Sequence, residues 1–413
     1  MRQILITYNN IEVVPGTTLL LIGRNEMRIF SKLVCSAVLS IGLSSPSAFA
    51  EDIKVGIIAP FSGQYAIWGK QIRNAIEAYQ ALHGDSVNGN KVVFIYKDTG
   101  GVNPGVAKAA AQELIVREKV SYLGGFVFTP NTLAVAPIVT QAKVPAVIFN
   151  AGTSMINKQS EYFLRTSYTQ WQVMVPFAKW VRANGAKKII LAVADYNPGY
   201  DAEKAFGDTF KAAGGEIVDT IRMPLATTDF APFIQRIKDS GADGLFTFLP
   251  AGPPTYAFVK AYNDAGLKRA GIAYYSTAET DEATLDALGD QAIDLITAFH
   301  YSAAHDSPEN TAMIKKLKEI DQHRPNFASA GTFDGVHLIY EMIRAAGKDG
   351  TKALAAAKGM SWTSPRGPVV MDPKTRHLTQ NVYLRKVQRD SGGLLQNVEF
   401  DVIKSVPDLG FDQ

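Results

Sequence analysis

From Ile53 onward, short apolar runs rich in β-branched residues alternate with longer amphipathic stretches. Residues 53–59 read as a strand and 69–82 as a helix. Next come a strand at 91–97, an Ala-rich helix at 104–119 and a strand at 120–126. A helix at 131–141 and a strand at 144–149 follow. These strands are apolar at nearly every position instead of alternating. Such runs fit strands covered on both faces, as in a parallel sheet. Repeated strand–helix–strand units predict a doubly wound α/β fold.

The pattern restarts after a gap. Residues 168–184 read as a helix, 187–194 as a strand, 202–213 as a helix and 216–223 as a strand. The alternation continues through a helix at 229–240, a strand at 243–249, a helix at 256–265 and a strand at 270–276. Two similar blocks, about 53–150 and 187–300, predict two similar lobes. Helices follow at 307–324, opened by Ser307-Pro308-Glu309, and at 332–346. Ser as cap, Pro next and an acid in the first turn form a strong helix start. The tail changes character: 367–373 and 381–387 read as an antiparallel hairpin turning at Asp372-Pro373-Lys374. A hairpin at the end of an α/β chain points to a tail that crosses back to an existing sheet.

Composition narrows the class. The 413 residues are 46% hydrophobic and 20% charged, ordinary for a globular protein and too apolar for a disordered one. Lys plus Arg number 42 and Asp plus Glu 39, a net charge of +3 without a basic run, which argues against nucleic acid as partner. Cys35 is the single cysteine, so neither an internal disulfide nor a thiolate zinc cluster can form.

The N-terminus has the layout of a secretory signal peptide. Met27-Arg28-Ile29-Phe30-Ser31-Lys32 is basic, 33–43 is apolar, and Ala48-Phe49-Ala50 is a small-x-small cleavage signal. The apolar run is too short for a bilayer-spanning helix, which needs about 20 residues. Signal peptides begin near their basic residues, so 1–26 reads as a gene-model extension, 27–50 as the signal peptide and 51–413 as the mature chain. The expected fate is export with removal of the signal peptide.

Catalytic signatures are missing from the sequence. His83, His300, His305, His323, His337 and His377 make no metal-ligand spacing and read as surface or satisfied histidines. Residues 63–70 resemble a phosphate loop, but the spacing is one residue too long and Gln71 stands where the hydroxyl belongs. Neither a Gly-x-Ser-x-Gly elbow nor a dinucleotide fingerprint is present. The expectation is a protein without catalytic residues, metal or cofactor.

In doubly wound sheets, ligands sit beyond the carboxyl ends of the strands. The loops there are 60–69, 124–130, 149–154, 195–200, 250–252 and 276–279. Thr129-Pro130 reads as a Thr cap followed by Pro, a helix start whose free N–H groups favour an anion. The loop Ala151-Gly152-Thr153 adds backbone and hydroxyl donors, and together the two would hold a carboxylate. Thr129 serving only as a cap, and Trp68 packing only inside its lobe, are equally compatible with the sequence.

Several stretches together resemble the leucine/isoleucine/valine-binding protein family, the type I periplasmic solute receptors of amino-acid ABC transporters. They are IKVGIIAPFSGQYAIWGKQIRNAIEAY, AKAAAQELIVREKVSYLGGF, PAVIFNAGTS and TTDFAPFIQRIKDSGADGLF. The resemblance implies two doubly wound parallel-sheet lobes joined by three crossovers, near 169–172, 299–303 and 358–364. It implies lobe 1 at 51–170 plus 302–360, and lobe 2 at 171–301 plus 361–413. By position, Trp68 matches an aromatic lid, Thr129 a ligand-carboxylate loop, and Ala151 and Thr153 a pair binding carboxylate and ammonium. Tyr200 matches a cross-lobe Tyr, and Glu279 falls near the acid that neutralises the ammonium. Phe128, Gly152 and Pro250 complete the expected site.

Two departures bear on the ligand. The family's Ser-rich loop is replaced by Phe126-Val127-Phe128-Thr129, and Leu249-Pro250-Ala251 stands where a Tyr is expected. The pocket is thus more apolar than an amino acid needs, leaving a hydrophobic amino acid and an aromatic carboxylate as open alternatives. The implied role is a monomeric periplasmic receptor that delivers a small carboxylate to an inner-membrane ABC permease. The alternative is the ligand-sensing component of a signalling system.

Overall fold

The structure is a computed structural model that describes residues 52–322 and 324–413. The signal-peptide and extension readings of 1–50, with Cys35, lie outside the described residues. Six strands form the first sheet: β1 (Ile53–Ala59), β2 (Ser86–Val87), β3 (Asn90–Asp98), β4 (Tyr122–Gly125), β5 (Ala146–Ile148) and β6 (Phe163–Arg165). Their order is β2-β3-β1-β4-β5-β6, and only the β2–β3 pair is antiparallel. Val55, Ile57 and Ile58 of β1 are buried at the sheet centre, which explains the unbroken apolar run. A Cβ at Gly56 would meet Leu114 and Leu123 side chains at 2.7 Å, so glycine lets the helix Pro104–Val116 pack closely on the sheet.

The second sheet holds β7 (Lys188–Ala194), β8 (Glu216–Met223), β9 (Gly244–Phe248), β10 (Ala273–Ser276) and β11 (Ile296–Phe299) as a parallel set in the order β11-β10-β9-β7-β8. β12 (Ser361–Ser364), β13 (Gly367–Met371), β14 (Leu378–Arg389) and β15 (Leu395–Val406) extend it antiparallel, with β14 paired to β11 and β15. The expected hairpin is β13–β14, and it does return to an existing sheet. β15 is an addition: its run LQNVEFDVIKSV is half polar and partly exposed, so it lacks the apolar signature of the buried strands.

The chain passes between the sheets at 166–169, 300–307 and 358–360. A buried ion pair sits there: Arg366 Nη2 lies 2.7 Å from Asp334 Oδ2, with both side chains almost inaccessible. Asp334 also accepts from Trp362 Nε1 at 2.8 Å and Ser364 Oγ at 2.7 Å, and Arg366 donates to the Thr166 carbonyl. This cluster ties the first passage, through Thr166, and β12 with the turn after it to the helix Phe327–Ala346. Among the described residues, no helix is long and apolar enough to cross a membrane.

Candidate ligand-binding cleft

The loops leaving the carboxyl ends of β1, β4 and β5 converge on one rim. After β4 the chain turns sharply at Phe126, which is held at φ 63°, a conformation that costs a non-glycine residue energy. Phe126 N donates to Ile58 O at 2.8 Å, and Phe126 O accepts from Ala151 N at 3.0 Å. These two bonds lock the loops after β1, β4 and β5 together. The helix Thr129–Ala142 then begins with Phe128, not Thr129, in the cap position. Thr129 is its first residue, with no cap bond from its side chain; its hydroxyl lies 2.9 Å from that of Thr153 instead. The reading of Thr129 as a cap is therefore corrected: the extended Phe128 backbone opens the helix and turns the Thr129 hydroxyl toward the neighbouring loop.

The two hydroxyls are fully buried side by side. Ala151 N–H is already committed to Phe126, so Ala151 offers no backbone donor to an anion. The donors suited to an anion here are the paired hydroxyls, the amides of Gly152 and Thr153, and the first turn of the helix. Arg165 reinforces them from behind. Its buried guanidinium donates from Nη2 to the Thr153 carbonyl at 2.8 Å, with Nε and Nη1 unpartnered. Burial lowers its pKa to about 10, and it stays charged at neutral pH.

Aromatic rings build the adjoining walls. Trp68 packs edge-on to Phe327 at 5.0 Å between centroids, and Phe327 meets Phe299 in the same way at 5.0 Å. Tyr168 stands 4.6 Å from Phe299, and Tyr65 meets Phe128 at 5.0 Å. A Cβ at Gly152 would sit 3.1 Å from the Tyr168 ring and 3.2 Å from Gln170 Nε2, so Gly152 lets both approach the anion loop. The Gln170 Oε1 is buried and unpartnered.

The second lobe closes over this rim. Trp68 Nε1 donates across the cleft to Ala251 O at 3.2 Å, and Gly252 lies against the Tyr65 ring. Ser154 N donates to Asp201 Oδ2 at 3.1 Å, a second bond between the lobes. Pro250 is buried beside Ala251, with its carbonyl accepting from Thr255 Oγ1 at 2.9 Å.

Glu279 is fully buried but occupied. Its Oε1 accepts from Leu249 N at 2.8 Å and its Oε2 from Thr277 N at 2.8 Å. Burial outweighs these bonds and pushes its carboxyl up to about 7. It braces the Leu249-Pro250-Ala251 loop, each oxygen accepting one backbone N–H.

Tyr200 is not brought to the cleft. It is 40% exposed, its hydroxyl donates to Asp195 Oδ1 at 2.7 Å, and Arg222 lies 5.0 Å over its ring. The helix Asn197–Ala212 starts five residues before the expected 202, so Tyr200 falls on an outward face. Tyr196, the extended residue before that helix, stands in its stead. It stacks on Phe248 at 6.4 Å, and burial raises its hydroxyl pKa, with Tyr168, Tyr65 and Glu279 as its electrostatic neighbours. The sequence analysis missed Tyr196, Tyr168, Gln170 and Phe327. A stricter placement of the Asn197-Pro198 helix start would have signalled Tyr196.

Two α/β lobes with parallel sheets, three passages and a cleft at the strands' carboxyl ends define a type I periplasmic binding protein. The chain belongs to the periplasmic binding protein family of Leu/Ile/Val-binding type; the family's profile matches residues 52–393. It is 47% identical over 384 residues to Leu/Ile/Val-binding protein homolog 6 of Brucella abortus, covering 92% of this chain and 98% of that one. A solute-binding protein of an ABC transporter from R. palustris, solved in complex with 4-hydroxybenzoate, is 52% identical. Its TM-score is 0.85, with 87% of this chain and 99% of that chain covered. Another, from Rhodopseudomonas palustris BisB5 in complex with 3,4-dihydroxybenzoic acid, is 44% identical with a TM-score of 0.84, covering 87% of this chain and 99% of that one.

Proposed function

We infer that this protein is the periplasmic receptor of an ABC importer and that its cleft captures a small aromatic carboxylate of the hydroxybenzoate kind. One observation carries the choice of ligand. The cleft joins a donor-rich loop, Thr129 with Gly152 and Thr153, to aromatic walls, while Glu279, the acid that would meet an ammonium, is buried, anchored to the Leu249 and Thr277 amides and disfavoured as a charge by its burial. An amino acid bound here would bury its ammonium without a free counter-charge, which is costly. A hydroxybenzoate brings a carboxylate and a flat ring with one neutral hydroxyl, and no cation to satisfy. The relatives bound to 4-hydroxybenzoate and 3,4-dihydroxybenzoic acid support the same class.

No residue of the cleft needs to perform chemistry for this role. The anion is held by hydroxyls, amides and a helix start, with Arg165 behind the loop, so the ligand can leave when the lobes part. The bonds Trp68–Ala251 and Ser154–Asp201 are the latch. The protein acts as a monomer that hands its ligand to an inner-membrane permease, and its signal peptide is cut after Ala50. N-terminal sequencing of the exported protein begins at Glu51 under this reading; a product that retains Met27 contradicts it.

Calorimetric titration of the mature chain tests the ligand. The reading predicts saturable binding of 4-hydroxybenzoate and none of leucine at the same concentrations. A tight response to leucine with none to aromatic acids overturns it.

A further inference from the structure

His300 breaks the expectation of a satisfied histidine. It is fully buried, and neither Nδ1 nor Nε2 has a hydrogen-bond partner. Buried polar atoms are nearly always paired, and leaving one unmade is costly. The ring is nevertheless firmly placed. It stacks on Tyr168 at 5.1 Å and 19°, touches Phe299 at 4.5 Å and faces Phe327 at 6.2 Å.

Those contacts tie it to the cleft from two sides. Tyr168 abuts Gly152 in the anion loop, and Phe327 packs on the lid residue Trp68. His300 is therefore one ring removed from both the carboxylate site and the lid. Resting on the aromatic-carboxylate reading, we propose that His300 hydrogen-bonds a ring hydroxyl at the end of the ligand away from its carboxylate, so that the cleft selects hydroxylated benzoates over benzoate.

The chemistry matches. Burial, with Arg366 and Arg385 nearby, keeps the imidazole neutral. A neutral imidazole offers one N–H donor and one acceptor nitrogen, and a phenol is likewise donor and acceptor. The ring C–H of benzoate offers neither. A phenolic hydroxyl that displaces a bridging water reproduces the water's bonds, whereas a C–H does not. His300 directly follows β11 (Ile296–Phe299), so a ligand bonded to it would touch a passage between the lobes.

The test compares two ligands that differ only in the hydroxyl. Calorimetry with 4-hydroxybenzoate and benzoate is run on the unaltered mature chain, on His300→Phe, which preserves an aromatic ring, and on His300→Asn, which keeps a donor and an acceptor. The unaltered protein is expected to prefer 4-hydroxybenzoate. His300→Phe should lose roughly tenfold or more for 4-hydroxybenzoate while benzoate changes by less than about threefold, with partial recovery in His300→Asn. Imidazole nitrogen resonances of the unaltered protein give an independent reading that needs no variant. They should move with 4-hydroxybenzoate and stay near their ligand-free positions with benzoate. An unchanged affinity ratio in a folded His300→Phe, or identical resonance shifts with both ligands, overturns the role of His300. Equal binding of the two acids by the unaltered protein overturns it too and leaves the aromatic reading standing. If the unaltered protein binds neither acid, both readings fall together.

Discussion

The two rims of the cleft are built on similar sheets and do opposite work. The first-lobe rim presents donors: the paired hydroxyls of Thr129 and Thr153, the amides beside them and a helix start, with Arg165 behind. The second-lobe rim presents apolar backbone and rings, Leu249-Pro250-Ala251 and Tyr196, and turns its acid inward, where Glu279 bonds two amides of its own lobe. The difference teaches where specificity lies. Under the proposed function, the first rim would hold the anion and the second would decide what may be attached to it.

The comparison can be broken where the lobes join. Asp334→Asn leaves Arg366 buried with its carboxylate removed, and breaking a buried pair from one side costs about 3–5 kcal/mol. Chemical denaturation should show a loss of that order; an unchanged midpoint would mean that the Thr166 carbonyl satisfies Arg366 unaided. On the first rim, Thr153→Ala should weaken 4-hydroxybenzoate binding by about 1.5–3 kcal/mol, roughly 10- to 150-fold. Its ligand-free melting temperature should also fall modestly, since the change leaves the buried Thr129 hydroxyl without this partner.

On the second rim, Glu279→Gln places an amide NH2 against one of the two N–H donors. Stability should fall by about 1–3 kcal/mol, with aromatic-acid affinity changed by less than about threefold. The same residue gives a pH signature. Its folded pKa is raised to about 7 from an ordinary value of about 4.3. Its contribution to stability is therefore complete below about pH 4 and is lost as pH rises through about 7. Glu279→Gln should flatten the decline across that window, as read from denaturation midpoints at pH 5 and pH 8. The smallest effect belongs to the lid: Trp68→Phe retains an aromatic ring and drops the bond to Ala251 O. It should cost about 0.5–1.5 kcal/mol of ligand affinity, mostly as faster release in stopped-flow fluorescence.

The fold was legible because its signal is strong. β1, β7 and β9 are buried on both faces, and a continuous apolar run is hard to mistake when helices flank it. β15 was not legible, since an antiparallel strand with exposed polar positions has neither run nor clean alternation. The closeness of Thr129 to the Ala151-Gly152-Thr153 loop was readable, although the bonds within it differ from those expected. The Thr129 hydroxyl turned to Thr153 instead of capping, and Ala151 N was taken by Phe126. The aromatic walls were not readable. Tyr168, His300 and Phe327 come from three distant segments, and only the passages between the lobes bring them together. Tyr200 misled for a local reason: helix phase at Asn197-Pro198 decides which Tyr faces inward, and the phase depends on where the helix begins.

The most direct test of the account is a crystal structure of the mature protein with 4-hydroxybenzoate. The account predicts the ligand carboxylate within hydrogen-bond distance of the Thr129 and Thr153 hydroxyls, the ring between Trp68, Tyr168 and Phe327, and Glu279 still bonded to Leu249 N and Thr277 N. A carboxylate bound away from the Thr129–Thr153 pair, or a Glu279 side chain swung out to meet the ligand, would contradict it.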